Sequence, residues 1–244
     1  MQYFLAVGLF AGFLSGFLGI GGGVVMVPSL LFLFPYLGIG GEHYVHMALA
    51  TSVTTAFFLT LSSAVAHIRM GNASRSTVPL LALGGVSGAV FGTLLASFIS
   101  GILLKKLFAL FLIFSAFRML GRGPGSGVSL RMPVWLIGFT AGFVAAFFGV
   151  GGGIVAVPAL VVSGFSPLEA VGTSATLLPF LTASAAVGYG IRGYIYFPAV
   201  VAMAASGVVA AQVGARLSSK APKDLLRKLF ACLLFLVAIR ILLD

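Results

Sequence analysis

Two stretches of this chain could hold an anion without using a charged side chain. Residues Gly12 to Pro28 read GFLSGFLGIGGGVVMVP, and Gly142 to Pro158 read GFVAAFFGVGGGIVAVP. At an offset of 130, Gly21, Gly22 and Gly23 fall on Gly151, Gly152 and Gly153, and Pro28 falls on Pro158. Three adjacent residues without Cβ can turn through positive φ and expose backbone N–H groups. A helix that restarts behind such a break presents unsatisfied N–H groups and a positive dipole end. A second polar pair also recurs, Thr51-Ser52 and Thr173-Ser174, at an offset of 122. Their hydroxyls can donate to the same ligand. The two triplets and the two Thr-Ser pairs are the candidate substrate-binding residues. A Cβ at Gly22 or Gly152 is expected to block the anion while leaving the fold intact. Gly88 and Gly92, four apart, read instead as helix-packing positions. Two plainer roles compete: the triplets as packing elements, and the hydroxyls bonded to their own i−4 carbonyls.

The elements that position these residues are membrane helices. Of 244 residues, 60% are hydrophobic and 7% charged, with mean hydropathy +1.20, against roughly 25% charged in soluble domains. A lipid environment requires helices or a closed barrel. The apolar runs are continuous, not alternating, so they are helices. No charge precedes Glu42, and none lies between 132 and 168. Each of these stretches therefore reads as two short helices split by its triplet, the first pair at about 3–19 and 23–36. Further spans are expected at 47–67, 79–99 and 107–120, with Lys105 and Lys106 in a connection. The start MQYFLAV reads as the first membrane segment, not a cleaved leader. Glu42, His43 and His46 fall in a polar turn, and His67 lies at the surface end of a span. The single cysteine, Cys232, excludes an internal disulfide.

The second half repeats the first. Leu104-Lys-Lys-Leu-Phe-Ala109 returns as Leu226-Arg-Lys-Leu-Phe-Ala231. The chain divides into a repeat at 1–120, a flexible linker at 121–131 and a repeat at 132–244. Charge indicates how the halves are oriented. With one crossing per broken stretch the halves are parallel, and the 14 Lys and Arg residues split evenly between the two sides. With a hairpin that returns to its own side, the halves are inverted. Arg69, Arg75, Arg118, Arg122, Arg131, Arg216, Lys220, Lys223, Arg227 and Lys228 then share one side. Only Lys105, Lys106, Arg192 and Arg240 face them. That asymmetry fits the positive-inside rule, so inverted-topology repeats are expected, with the linker inside. Inverted repeats with broken helices place a substrate near the midplane. Arg69 and Arg192 could attract anions to a vestibule.

Enzyme chemistry lacks its residues. Four acidic residues lie outside the span centres, and no nucleophile–base set, zinc cluster or complete phosphate loop is present. No cofactor, metal or nucleic-acid partner is implied. The net charge of +10 belongs to topology-setting loops. A cation permease would need carboxylates or many carbonyls; a non-transport membrane subunit is the other alternative.

The doubled GxGGGxxxxP motif, with a Thr-Ser pair opening the next segment in each half, resembles the TauE/SafE family of sulfite and organosulfonate exporters. The resemblance runs from Leu5 to Leu243. It implies a permease of the inner membrane for small sulfur anions such as sulfite, or sulfonates such as sulfoacetate. It fixes neither the particular anion, nor the direction, nor the oligomeric state. With no carboxylate in the spans to carry a proton, either uniport along the membrane potential or symport on a protonated substrate is expected.

Overall fold

The computed structural model describes residues 1–18, 21–120, 132–217 and 223–243. The linker at 121–131, with Arg122 and Arg131, lies outside the described residues, as do Gly19 and Lys220; side-chain positions are not described for Arg118, Lys223, Arg227 and Lys228. The fold is all-helical. The first half contains α1 (Gln2–Leu18), α2 (Gly23–Tyr36), α3 (Tyr44–Arg69), α4 (Val78–Phe98) and α5 (Gly101–Leu120). The second contains α6 (Val134–Phe148), α7 (Gly153–Val162), α8 (Pro167–Gly190), α9 (Phe197–Leu217) and α10 (Lys223–Leu243). Among the described residues α3, α4, α8 and α9 are long and apolar enough to cross a membrane, while α1, α2, α6 and α7 are shorter apolar helices.

Local chemistry accounts for the breaks. Glycine at positive φ ends α6 at Gly149 and caps α2 at Gly22 and α7 at Gly152. Both returning helices stop at a left-handed glycine, Gly38 (φ 68) and Gly164 (φ 101). The residue after each closes back on the helix: Ile39 N–H donates to Phe34 O and Phe165 N–H to Leu160 O. Helix α8 opens with Ser166, whose hydroxyl accepts from Glu169 N–H, and with Pro167 at its first turn.

Two helix starts differ from expectation. Helix α5 begins at Gly101, so Lys105 and Lys106 lie inside it. Leu104, Phe108 and Leu112 are buried at helical spacing, and the lysines occupy the remaining faces, where long stems can snorkel. Helix α3 begins at Tyr44, which draws His46 out of the polar turn. His46 is buried and its Nε2 donates to Ala96 O and Ile99 O.

The halves interlock. Helix α1 packs on α9 through Gly8 against Met203, Gly12 against Gly207 and Gly16 against Ala211. Helix α4 packs on α6 through Gly84 against Trp135, Gly88 against Phe139 and Gly92 against Phe143. In both pairs the helices run in the same direction, and a Cβ at these glycines would strike the neighbour's backbone. Gly88 and Gly92 are thus packing positions, as their spacing predicts. Helix α3 runs alongside α9, with Ser62 Oγ donating to Val208 O. Helices α3 and α8 cross in opposite directions, since Thr51 near the start of α3 meets Tyr196 beyond the end of α8 and Ser74 beyond the end of α3 meets Thr173 near the start of α8; Thr60 meets Thr182 where they cross, 3.4 Å apart.

Candidate functional site

The two triplets meet at the centre. Gly21 and Gly22 have φ of 89° and 71°, Gly151 and Gly152 of 85° and 80°. A Cβ on Gly21 would sit 3.1 Å from Gly151 Cα, and one on Gly23 would sit 2.6 Å from Val150 Cα. The caps match: Val25 and Met26 N–H donate to Gly22 O, and Val155 and Ala156 N–H to Gly152 O. All six triplet glycines are buried. The positive ends of α2 and α7 therefore converge, each carrying roughly half an elementary charge.

The expectation that alanine at Gly22 or Gly152 would spare the fold does not survive this packing. A Cβ on Gly22 would lie 2.7 Å from Ala11 O, and one on Gly152 would lie 2.5 Å from Ala141 O. Each returning helix starts tight against the middle of the helix before it. The triplets are packing positions as well as turns.

Thr51, Ser52, Thr173 and Ser174 are completely buried. Thr51 Oγ1 accepts from Tyr196 N–H at 3.0 Å, and Thr173 Oγ1 accepts from Ser74 N–H at 3.0 Å. Tyr196 and Ser74 lie in equivalent loops, so each threonine holds the loop of the opposite half. Neither relies on its i−4 carbonyl for this. Ser52 Oγ donates to Gly149 O at 2.9 Å and so fixes the entry to the second triplet; Ser174 is also engaged in an interaction. Thr51→Val or Thr173→Val would leave a partly buried backbone N–H without its acceptor, at about 1 kcal/mol. Each variant should lower the thermal midpoint, whereas serine at either position, which keeps the acceptor, should restore most of it. Equal midpoints for the valine variants and the parent would remove these hydroxyls from the frame.

Two polar residues outside the motifs stand beside the first triplet. Ser15 packs beside Gly22, its Cβ 3.4 Å from where a Gly22 Cβ would stand. His67 is fully buried, not at the surface, and its Nε2 donates to Gly16 O at 3.4 Å. The signal was present: the repeat copies differ there, with Ser15 opposite Ala145 and His67 opposite Tyr189. The two expected vestibule arginines are also separated. Arg69 lines a cleft of about 210 Å³ with Ser62, Ala66, Gln212 and Arg216. Arg192 donates from Nη1 to Gly188 O of its own helix.

A bundle of apolar spans in which two glycine-broken helix pairs meet is a multi-pass membrane protein. The chain belongs to the TauE/SafE family: the family model described as "Sulfite exporter TauE/SafE" matches residues 4–241. It is 30% identical to a probable membrane transporter protein of Methanocaldococcus jannaschii, covering 91% of this chain and 88% of that one. It is 31% identical to a probable membrane transporter protein of Haemophilus influenzae, covering 98% and 97%. No solved structure matches the chain.

Proposed function

We propose that this protein is a secondary transporter that moves small sulfur-containing anions, such as sulfite or sulfonates, out across the cytoplasmic membrane. The observation that carries this reading is the convergence of two helix N-termini on paired left-handed glycines at the centre of the bundle. Such an arrangement favours negative charge and supplies N–H donors without side chains. In this reading Gly21 to Gly23 and Gly151 to Gly153 face the anion during transport. Thr51 and Thr173 act through the loops they hold, Ser52 through Gly149 at the entry to the second triplet, and Ser174 stands beside Thr173 as the counterpart of Ser52. The triplets touch, so passage requires the halves to move apart, as in alternating access around a fixed site. Arg69 and Arg216 would gather anions at one mouth.

The same reading makes the halves inverted repeats. Support comes from the direction of packing: α1 runs with α9, which runs with α3, so the α1–α2 hairpin brings the chain back to its starting side. Helix α4 runs with α6, and α3 crosses α8 in the opposite sense. In a variant with Cys232 replaced by serine, cysteine at Ser76 should be labelled only from the cytoplasm. Cysteine at Glu42 or Ile191 should be labelled only from outside. Labelling of Ser76 and Ile191 from one face would mean parallel halves.

Radiolabelled sulfite flux in proteoliposomes tests the function. Protein-dependent flux supports a transporter, and flux equal to that of empty vesicles supports a non-transport subunit.

A further inference from the structure

The two glycine loops share a backbone but not their surroundings. Ser15 stands where the second half has Ala145, Ser63 where it has Ala185, and His67 where it has Tyr189. Ser15 and Ser63 are each 1% exposed, and neither hydroxyl has a hydrogen-bond partner. This is unlike five buried threonines of the same bundle. Thr54, Thr55, Thr60, Thr93 and Thr182 each donate to the carbonyl four residues back, the usual resolution for a hydroxyl in an apolar span. A buried polar group left unmet is costly, so it marks a place where something else is to be bound.

Ser15 abuts Gly22, the N-cap of the 14-residue α2. Ser63 lies one turn before His67 on the same face of α3, and His67 reaches Gly16, the neighbour of Ser15. The corresponding region of the second half is filled and satisfied. Ala145 Cβ lies 3.1 Å from where a Gly152 Cβ would be, and Tyr189 donates its hydroxyl to Ala146 O at 2.9 Å.

We propose that the transported anion is held asymmetrically, its side-chain contacts coming from the first half alone, between the N-terminus of α2 and the α1–α3 interface. The Ser15 and Ser63 hydroxyls donate to its oxygens, and the second glycine loop supplies backbone N–H groups only. The ligand class is a small oxyanion with several acceptor oxygens on one centre, which can take two hydroxyls and backbone N–H groups together. This rests on the transport reading above.

The test is radiolabelled sulfite binding and flux with purified Ser15→Ala and Ser63→Ala proteins, alongside the reciprocal Ala145→Ser and Ala185→Ser. Each serine-to-alanine change should weaken sulfite affinity about tenfold, as for loss of a hydrogen bond to a charged ligand. It should leave the thermal midpoint unchanged or raise it, because the removed hydroxyl had no protein partner. The reciprocal variants should bind as the parent does. Parent-like affinity in both alanine variants, with flux intact, overturns the assignment. So does a lowered midpoint without loss of affinity, which would mean the hydroxyls hold a buried water. A parent that neither binds nor moves sulfite would instead defeat the transport reading itself.

Discussion

Alanine at Gly22 or Gly152 should destabilise the protein more than alanine at any exposed turn. Two costs add. The left-handed backbone disfavours a Cβ by about 1–2 kcal/mol, and each new methyl meets a backbone carbonyl at 2.7 Å or 2.5 Å. Overpacking of that kind typically costs about 1–3 kcal/mol. Together they amount to about 2–5 kcal/mol, or a thermal midpoint lowered by roughly 5–15 °C for a chain of this size. Gly38 and Gly164 are the controls. They also have positive φ, at 68° and 101°, but nothing lies within 4 Å of a Cβ placed on either. Alanine there should incur only the backbone cost. Because Gly22 and Gly152 meet equivalent carbonyls, Ala11 O and Ala141 O, their two variants should fall by similar amounts. Thermal unfolding in detergent measures this. A Gly22→Ala shift no larger than that of Gly38→Ala would mean that α2 does not start against the middle of α1.

Much of the architecture was legible in the sequence because its signals are local. A glycine triplet inside an apolar run must break the helix, and α2 and α7 do begin at the last glycine of each triplet. Hydropathy marks α3 and α4 to within a few residues. The packing role of Gly88 and Gly92 followed from their spacing. The misread positions depend on partners distant in the chain. Lys105 and Lys106 look like a connection until Leu104, Phe108 and Leu112 are seen to bury one face of α5. His67 looks superficial until Gly16 O is found beside its ring. The hydrogen bonds from Tyr196 N–H to Thr51 and from Ser74 N–H to Thr173 join the two halves, and no local pattern announces them. The triplets carried both a turn signal and a packing signal, and only the position of Ala11 and Ala141 shows that both apply.

The second large effect is on the driving force. Within the described helices Asp and Glu occur only at the ends, Glu42 in the short turn before α3, Glu169 in the first turn of α8 and Asp224 in the first turn of α10, so the described span interiors offer no carboxylate relay of the kind proton-coupled carriers use. An anion that crosses as such responds directly to voltage. Moving one charge through 100 mV is worth about 2.3 kcal/mol, a gradient of roughly fifty-fold at equilibrium. An inside-negative potential should therefore drive sulfite out of loaded vesicles against a large opposing concentration. If the substrate crosses with enough protons to be neutral, the same flux should follow an imposed pH difference instead and ignore the voltage.

One measurement tests transport itself most directly. Proteoliposomes loaded with radiolabelled sulfite are given an inside-negative potential of about 100 mV, or an equivalent pH difference, and efflux is compared with that of protein-free vesicles. The account predicts rapid protein-dependent efflux that responds to one of the two gradients. Efflux no faster than from empty vesicles, or a protein-dependent flux indifferent to both gradients, would contradict it.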